Sequence, residues 1–419
     1  MHVVVLAEFA VPSGGAEKVA LESARGLAEA GIAVTYIQAI AGAVDPLLDH
    51  PRVTRVCLGL SDVWSRSPVA AALAAIWHRE AARRLAGALD GLAQPPDLLH
   101  LHQWTRSLSP SVFPVLFARG VPVVATLHDY FLACPNGVHY RFDKAEPCRL
   151  APLSAACLVA PCDGRSRAHK LVRVARTAAL RSAIGRNRLH VVHVCDASRT
   201  RIGGLLGAYD VAHHRIDNPV RVAKGPPADP AGGDAVAYVG RLTREKGADL
   251  VAAAAAEAGL AALFVGTGPL EAELRAMPNV ELMGWQSPGA VEHILRTRAR
   301  ALVAPSRWYE TGPLTVYEAL AAGLPVVVSG RAGASEKVAD GVSGFVVEPE
   351  IAPLATALRR IAEDDAARAL GLAAHARYWQ APMTLAAHAE ALAILYTTLA
   401  HERASIAPER VDEATLAVE

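Results

Sequence analysis

Twice along these 419 residues, short aliphatic and β-branched runs alternate with stretches whose apolar positions recur at helical spacing. Few folds satisfy that alternation. Strands joined through helices pair in parallel, and a parallel sheet needs helices over both of its faces. The first series opens with a strand over 3–7, a turn at Gly14 and Gly15, a helix over 16–30 and a strand over 34–37. In the helix Val19, Ala20, Ala24 and Leu27 share one face while Lys18, Glu22, Arg25 and Glu29 take the other, and Gly31 ends it. A long amphipathic helix over 68–92 follows, with strands over 97–102, 121–127 and 190–194 and an irregular insert over 130–188. Residues 224–233, rich in Pro and Gly, read as a linker. Beyond it strands near 235–239, 262–265, 280–283, 301–304, 326–328 and 345–347 alternate regularly with helical patterns, and further helices run over 351–400. The expected fold is α/β, with two doubly wound parallel-sheet domains. They occupy residues 1–222 and 235–380, joined by a linker over 223–234. A helix over 381–402 packs back on the first domain, and a loose polar tail spans 403–419.

Composition removes several functions. Forty-two Lys and Arg against 41 Asp and Glu give a net charge of +1, which argues against a nucleic-acid partner. A hydrophobic fraction of 52% with 20% charged residues excludes a disordered chain. No run reaches the ~18–20 apolar residues of a membrane span, because Glu257 and Gly259 interrupt the most Ala-rich stretch. The apolar start, residues 1–7, lacks a basic flank and reads as a buried strand rather than a signal peptide. Six Cys without an export signal point to a reducing cytoplasm.

In a doubly wound sheet, ligands sit outside the carboxyl ends of the strands, so the loops after those strands carry the chemistry. Arg241 and Lys246 project from one strand-to-helix loop of the second domain, a pairing suited to a diphosphate at a helix N-terminus. After another strand come Glu310, Thr311, Gly312, Pro313 and Leu314, then Glu318 within the next helix. Glu318 suits a ribose diol, and the amides of Thr311, Gly312 and Leu314 suit phosphate or sugar oxygens.

The segments 239–247, 265–269 and 304–326, with Glu336 and residues 340–344, resemble the retaining glycosyltransferases of family 4, and Glu310 and Glu318 match that family's Glu-x7-Glu motif. In the first domain, Gly14, Gly15 and Glu17 resemble its glycine loop and His128-Asp129 its His-Asp motif. The resemblance implies the GT-B architecture, two Rossmann-like domains facing across a cleft. It also implies transfer of a sugar from a UDP- or GDP-sugar to an acceptor hydroxyl, with retention and without a metal or other catalytic cofactor. Arg241 and Lys246 would neutralise the leaving diphosphate, Glu310 would hold the donor sugar and Glu318 the ribose. Gly14 and Gly15 would approach the donor, and His128 would orient the sugar through its carbonyl or ring. The acceptor would be a saccharide, a lipid-linked molecule or a small metabolite. Alternatives are a silent nucleotide-sugar-binding subunit, or an epimerase or hydrolase of the same fold. Thr311 and Gly312 depart from the aromatic-glycine turn of many members. His100 and His102, on another strand, read as structural.

Two features of the insert stand apart. Cys134, Cys148, Cys157 and Cys162 could close a structural zinc site, against the alternatives of reduced buried thiols or disulfides. Eight cations between Arg165 and Arg188, with no acidic residue among them and interleaved with Leu, Val and Ile, suggest a basic amphipathic helix resting on an anionic membrane surface, or else a solvated face or one that contacts an anionic acceptor.

Overall fold

In the computed structural model, which describes residues 1–406, two parallel sheets form two domains. The expected tail falls largely outside the described residues. The first sheet contains β1 (His2–Ala7), β2 (Ala33–Ile40), β3 (Val53–Leu60), β4 (Leu98–Leu101) and β5 (Val123–Leu127). The insert adds a small antiparallel hairpin, β6 (Tyr140–Arg141) with β7 (Glu146–Pro147), before β8 (Leu189–His193) and β9 (Val211–Arg215) complete the sheet. Its order is β3-β2-β1-β4-β5-β8-β9, so the connections reverse between β1 and β4 and leave a crevice there. Seven helices belong to this part: α1 (Gly15–Glu29), α2 (Pro68–Ile76), α3 (Arg79–Asp90), α4 (Val112–Phe117), α5 (Ala155–Val159), α6 (Arg167–Ile184) and α7 (Asp196–Gly203).

The second sheet holds β10 (Ala235–Val239), β11 (Ala261–Val265), β12 (Val280–Gly284), β13 (Ala299–Ala304), β14 (Val326–Ser329) and β15 (Gly344–Val347), ordered β12-β11-β10-β13-β14-β15. Its switch point lies between β10 and β13. Helices α8 (Ala248–Glu257), α9 (Glu271–Arg275), α10 (Pro288–Thr297), α11 (Leu314–Ala322), α12 (Ile351–Ala362) and α13 (Asp364–Tyr378) cover it. The central strands are buried on both faces, which explains their unbroken Val, Ala and Leu runs. The chain then crosses back: α14 (Leu385–Ile406) lays Leu392, Leu395, Tyr396 and Leu399 into the core beneath β1 and α1 of the first domain. No helix among the described residues is long and apolar enough to cross a membrane.

Three local expectations are corrected. The helix over 68–92 is broken at Trp77 and His78: Trp77 is extended, while the His78 amide donates to Ser109 Oγ at 2.9 Å and its ring bonds the Ser107 carbonyl. Strands β3 and β9 were not expected. β3 is an edge strand with four of its eight residues exposed, and β9 is half-exposed and His-rich, so neither carries a clean apolar signal. The helical pattern also continues past His401 to Ile406.

The basic helix is corrected as well. Lys170 and Arg176 are buried, and Arg173 pairs with Asp163 at 2.9 Å. Arg176 lies over the rings of Phe131 and Trp104, 4.3 and 5.5 Å from their centroids, and Arg181 reaches the Pro152 carbonyl. The middle of α6 thus spends its cations inside the protein, and only Arg165, Arg167, Arg186 and Arg188 at its ends are exposed. Segment 165–188 offers no continuous basic face to a membrane.

Candidate active site

The two switch points face one another across a cleft of about 700 Å³. From the first domain come Gly14 and Gly15 at the N-terminus of α1, Glu17 and Lys18 in its first turn, and His128, Asp129 and Tyr130 just past β5. From the second come Lys246, Trp308, Tyr309, Glu310 and the turn from Thr311 to Leu314 that opens α11, with Glu318 one turn further on. Of the catalytic and donor-binding residues singled out in the sequence, Arg241 alone is absent from the wall. It is exposed, and its carbonyl accepts the Tyr238 hydroxyl at 2.7 Å.

The two second-domain loops are locked together at Gly247. Its φ is +79°, and a Cβ there would lie 2.4 Å from the Pro305 carbonyl oxygen, so only glycine lets the loop after β10 lie against the loop after β13. That contact brings the Lys246 ammonium onto Glu310, whose second oxygen accepts from Ser306 Oγ at 2.6 Å. Burial alone would raise the Glu310 carboxyl. The adjacent Lys246 charge and the hydrogen bonds outweigh it and hold Glu310 below its ordinary range. Across the cleft, Lys18 donates to Glu318 at 2.9 Å, and Thr311 Oγ1 donates to the His128 carbonyl at 2.9 Å.

His128 is not alone. Its Nε2 lies 3.1 Å from Nδ1 of His102, with the two rings stacked at 23°. The His102 ring in turn lies 4.3 Å from that of His100, tilted at 40°, and His100 bonds the Tyr396 and Thr126 hydroxyls. Burial pushes His100 and His128 down to about 3 and His102 lower than its usual value, so the cluster is neutral at pH 7. Nε2 of His102 is buried without a partner. An orphaned N–H costs more than an orphaned lone pair, which assigns the His102 proton to Nδ1 and makes it the donor to His128 Nε2. The proton of His128 is then on Nδ1. His102 therefore holds the ring of His128 as well as filling space. The sequence signal was the alternation of His100 on β4 with His102 just past its end, which cannot reveal a partner just past the end of β5.

On the first-domain wall Asp129 is raised to about 6, chiefly by burial, while its Oδ1 accepts from the Phe131 amide at 2.9 Å. Glu17, 6% exposed, is also raised by burial.

The four insert cysteines are buried and free. Lys170 donates to Cys162 Sγ at 3.1 Å and to Cys157 Sγ at 3.6 Å, whereas Cys134 donates to Asn136 Oδ1 at 3.0 Å. An ammonium where a dication would need its ligands does not fit zinc. Among the described residues no group of three or more His, Cys, Asp or Glu is placed to hold a metal, so the four-thiolate site is corrected to a lysine-bonded thiol cluster.

Known proteins share this arrangement. Residues 13–163 match the family described as Glycosyltransferase Family 4, and residues 225–377 match Glycosyl transferases group 1. Among solved structures, a sucrose-phosphate synthase from Thermosynechococcus elongatus superposes with a TM-score of 0.72 at 18% identity, covering 96% of this chain and 99% of that one. HepE from Anabaena, crystallised with UDP-glucose, gives 0.63 at 19% identity, covering 95% of this chain and all of the other. Among curated relatives, a D-inositol 3-phosphate glycosyltransferase of Frankia alni is 30% identical over 276 residues, 60% of this chain and 61% of its own length. A glycogen synthase of Mycobacterium tuberculosis is 29% identical over 288 residues, 65% of this chain and 61% of its own. The chain thus spans about 60% of the length of those relatives. Its fold is GT-B, and it belongs with the family 4-like glycosyltransferases.

Proposed function

We propose that this protein transfers a glycosyl unit from a nucleoside diphosphate sugar to an acceptor hydroxyl with retention of configuration. The observation that carries the reading is the convergence of Lys246, Glu310 and Glu318 at the mouth of α11, facing His128 and the N-terminus of α1 across one cleft. Relatives of this fold crystallised with UDP and UDP-glucose support it. Lys246 neutralises charge as it develops on the leaving diphosphate, and the N-termini of α1 and α11 add their partial positive charge. Arg241, exposed just outside the cleft wall, adds a second cation for the diphosphate. Glu310, kept ionised by Lys246, accepts a donor-sugar hydroxyl. Glu318 accepts the ribose hydroxyls in place of Lys18. The neutral His128, fixed by His102 and Thr311, bounds the sugar on the opposite side without adding positive charge beside an oxocarbenium-like centre. Nucleotide-sugar use and six free thiols suit a reducing, cytoplasmic setting.

Titration with UDP, GDP and ADP and their sugar conjugates, followed by thermal unfolding, tests the reading. One nucleotide series is expected to raise the Tm in a saturable way. No shift with any of them would refute the donor site.

A further inference from the structure

When a ribose takes Glu318, the Lys18 ammonium loses the one partner it has among the described residues. A second cavity, of about 330 Å³, offers it another. Pro12, Lys18, Pro288 and Glu318 line both this cavity and the cleft, so the two spaces share a wall. Glu22 also lines the cavity, one turn beyond Lys18 on α1 at the i,i+4 spacing that lets two side chains of a helix meet. By sequence Glu22 belongs to the polar face of α1, yet it is 1% exposed. Among the described residues its carboxyl forms no ion pair, and Oε2 is buried without a hydrogen-bond partner. A buried carboxyl with no donor is costly as an anion, and an ammonium brought beside it removes much of that cost.

From this we infer that Lys18 has two seats, Glu318 while the donor site is empty and Glu22 once a ribose is bound, and that Glu22 is a positioning residue that clears Glu318 for the nucleotide. The inference rests on the donor reading above and deepens it. In the first seat Lys18 ties α1 of one domain to α11 of the other, and in the second the ribose takes over that place on Glu318. The charges around Glu22 decide what the transfer does to its proton. Burial raises the Glu22 carboxyl to about 7; Lys18 and Arg221 pull it down, while Glu318 and Asp45, in the loop after β2, push it up. Glu292 and Arg296 of α10, on the same cavity, pair with each other at 3.4 Å. Delivery of the Lys18 ammonium favours the ionised carboxylate. Nucleotide binding therefore releases a proton below pH 7, and affinity rises with pH until Glu22 is already ionised in the free protein.

The test is calorimetric titration of the full chain with whichever nucleotide sugar stabilises it, a ligand whose diphosphate has no terminal monoester to titrate. Titrations at pH 6.5 in PIPES and in imidazole buffer, which differ in ionisation enthalpy, read the protons exchanged. Wild type is expected to release about three-quarters of a proton more than Glu22→Gln, a comparison that cancels any contribution from Glu17 and Asp129 in the cleft. From pH 6 to pH 8 the affinity of wild type should gain about tenfold relative to that variant. Lys18→Met has no ammonium to transfer and should match Glu22→Gln in proton release. Arg221→Met leaves the transfer intact and should match wild type. Equal release from wild type and Glu22→Gln overturns the inference, as does release that survives in Lys18→Met or is lost in Arg221→Met. In each of these cases the nucleotide sugar still binds and the donor reading stands. Absence of both binding heat and a nucleotide-induced Tm shift would instead strike the donor reading itself.

Discussion

Replacing Lys246 by Met isolates what its ion pair contributes to the fold from what it contributes to binding. The side chains of Lys246 and Glu310 are 27% and 10% exposed, so the substitution leaves a nearly buried carboxylate with only Ser306 beside it. Breaking a fully buried pair costs about 3–5 kcal/mol. The partial exposure of Lys246 lets water reach the site and reduces this to about 2 kcal/mol. For a domain of this size that corresponds to a Tm loss of about 4–8 °C. Glu310→Gln costs less, because the lysine it leaves unpaired is the more exposed partner. The double variant Lys246→Met, Glu310→Gln has no stranded charge and is expected to recover part of the loss. The sign with pH follows: Glu310 lies below its unfolded value near 4.5, so its stabilisation is present above that pH and fades as pH falls through the lower, folded value. Wild type should show this acid loss, and both variants lacking the Glu310 carboxyl should not. Nucleotide affinity should stay about 10–100-fold weak in the double variant even though stability returns, since the diphosphate still lacks its cation. Calorimetric unfolding with nucleotide titration reads both quantities. A double variant no more stable than Lys246→Met alone would refute the argument that a stranded carboxylate, rather than lost packing, sets the cost.

Four further substitutions test neighbouring parts of the site. His102→Phe keeps the ring stack but removes the proton that fixes His128, so kcat should fall about tenfold with the donor KM unchanged in steady-state kinetics. Asp129 is raised to about 6, so any stability associated with its protonation is present below about pH 4 and lost as pH rises through 6. Asp129→Asn should therefore be more thermostable than wild type at pH 7.5, with the difference closing below about pH 4 in thermal unfolding. Gly247→Ala forces a Cβ against the Pro305 carbonyl at a positive φ, with an expected cost of about 2–4 kcal/mol in chemical denaturation and weaker nucleotide binding as Lys246 shifts. Arg241→Ala should weaken nucleotide binding in calorimetric titration without altering Tm in the absence of nucleotide, because the side chain is exposed.

The sheets were legible wherever strands are buried on both faces. β1, β5, β10, β13 and β14 are continuous aliphatic runs because helices cover them on both sides, and the residues that bind ligands in such a fold must follow their carboxyl ends. That rule, with the motif spacing, was enough to bring Lys246, Glu310, Glu318 and His128 to one cleft. β3 and β9 at the sheet edges were missed because their exposed faces erase the apolar pattern. The cations of α6 misled for a related physical reason. Sequence periodicity treats every Arg as a solvent residue, yet Arg176 is stacked between two rings and Lys170 is bonded to two thiols, environments assembled only when the insert folds over α6.

What stays hidden in a sequence is which of its polar groups have already spent their hydrogen bonds. Lys18 reads as a polar-face helix residue and Lys246 as a free cation beside a cleft until the fold pairs them with Glu318 and Glu310. His102 reads as a core residue until β4 sets it beside His128. The consequence is functional. Donor recognition depends on the residues whose types the motif fixes, but the acceptor meets whatever charge remains after internal pairing is complete. On the first-domain wall that remainder is the uncapped N-terminus of α1 at Gly14 and Gly15, the carboxyls of Glu17 and Asp129, and the neutral ring of His128. Proteins that share this fold and donor chemistry can therefore diverge in acceptor charge through a few residues on that wall, with both sheets and the whole second domain unchanged.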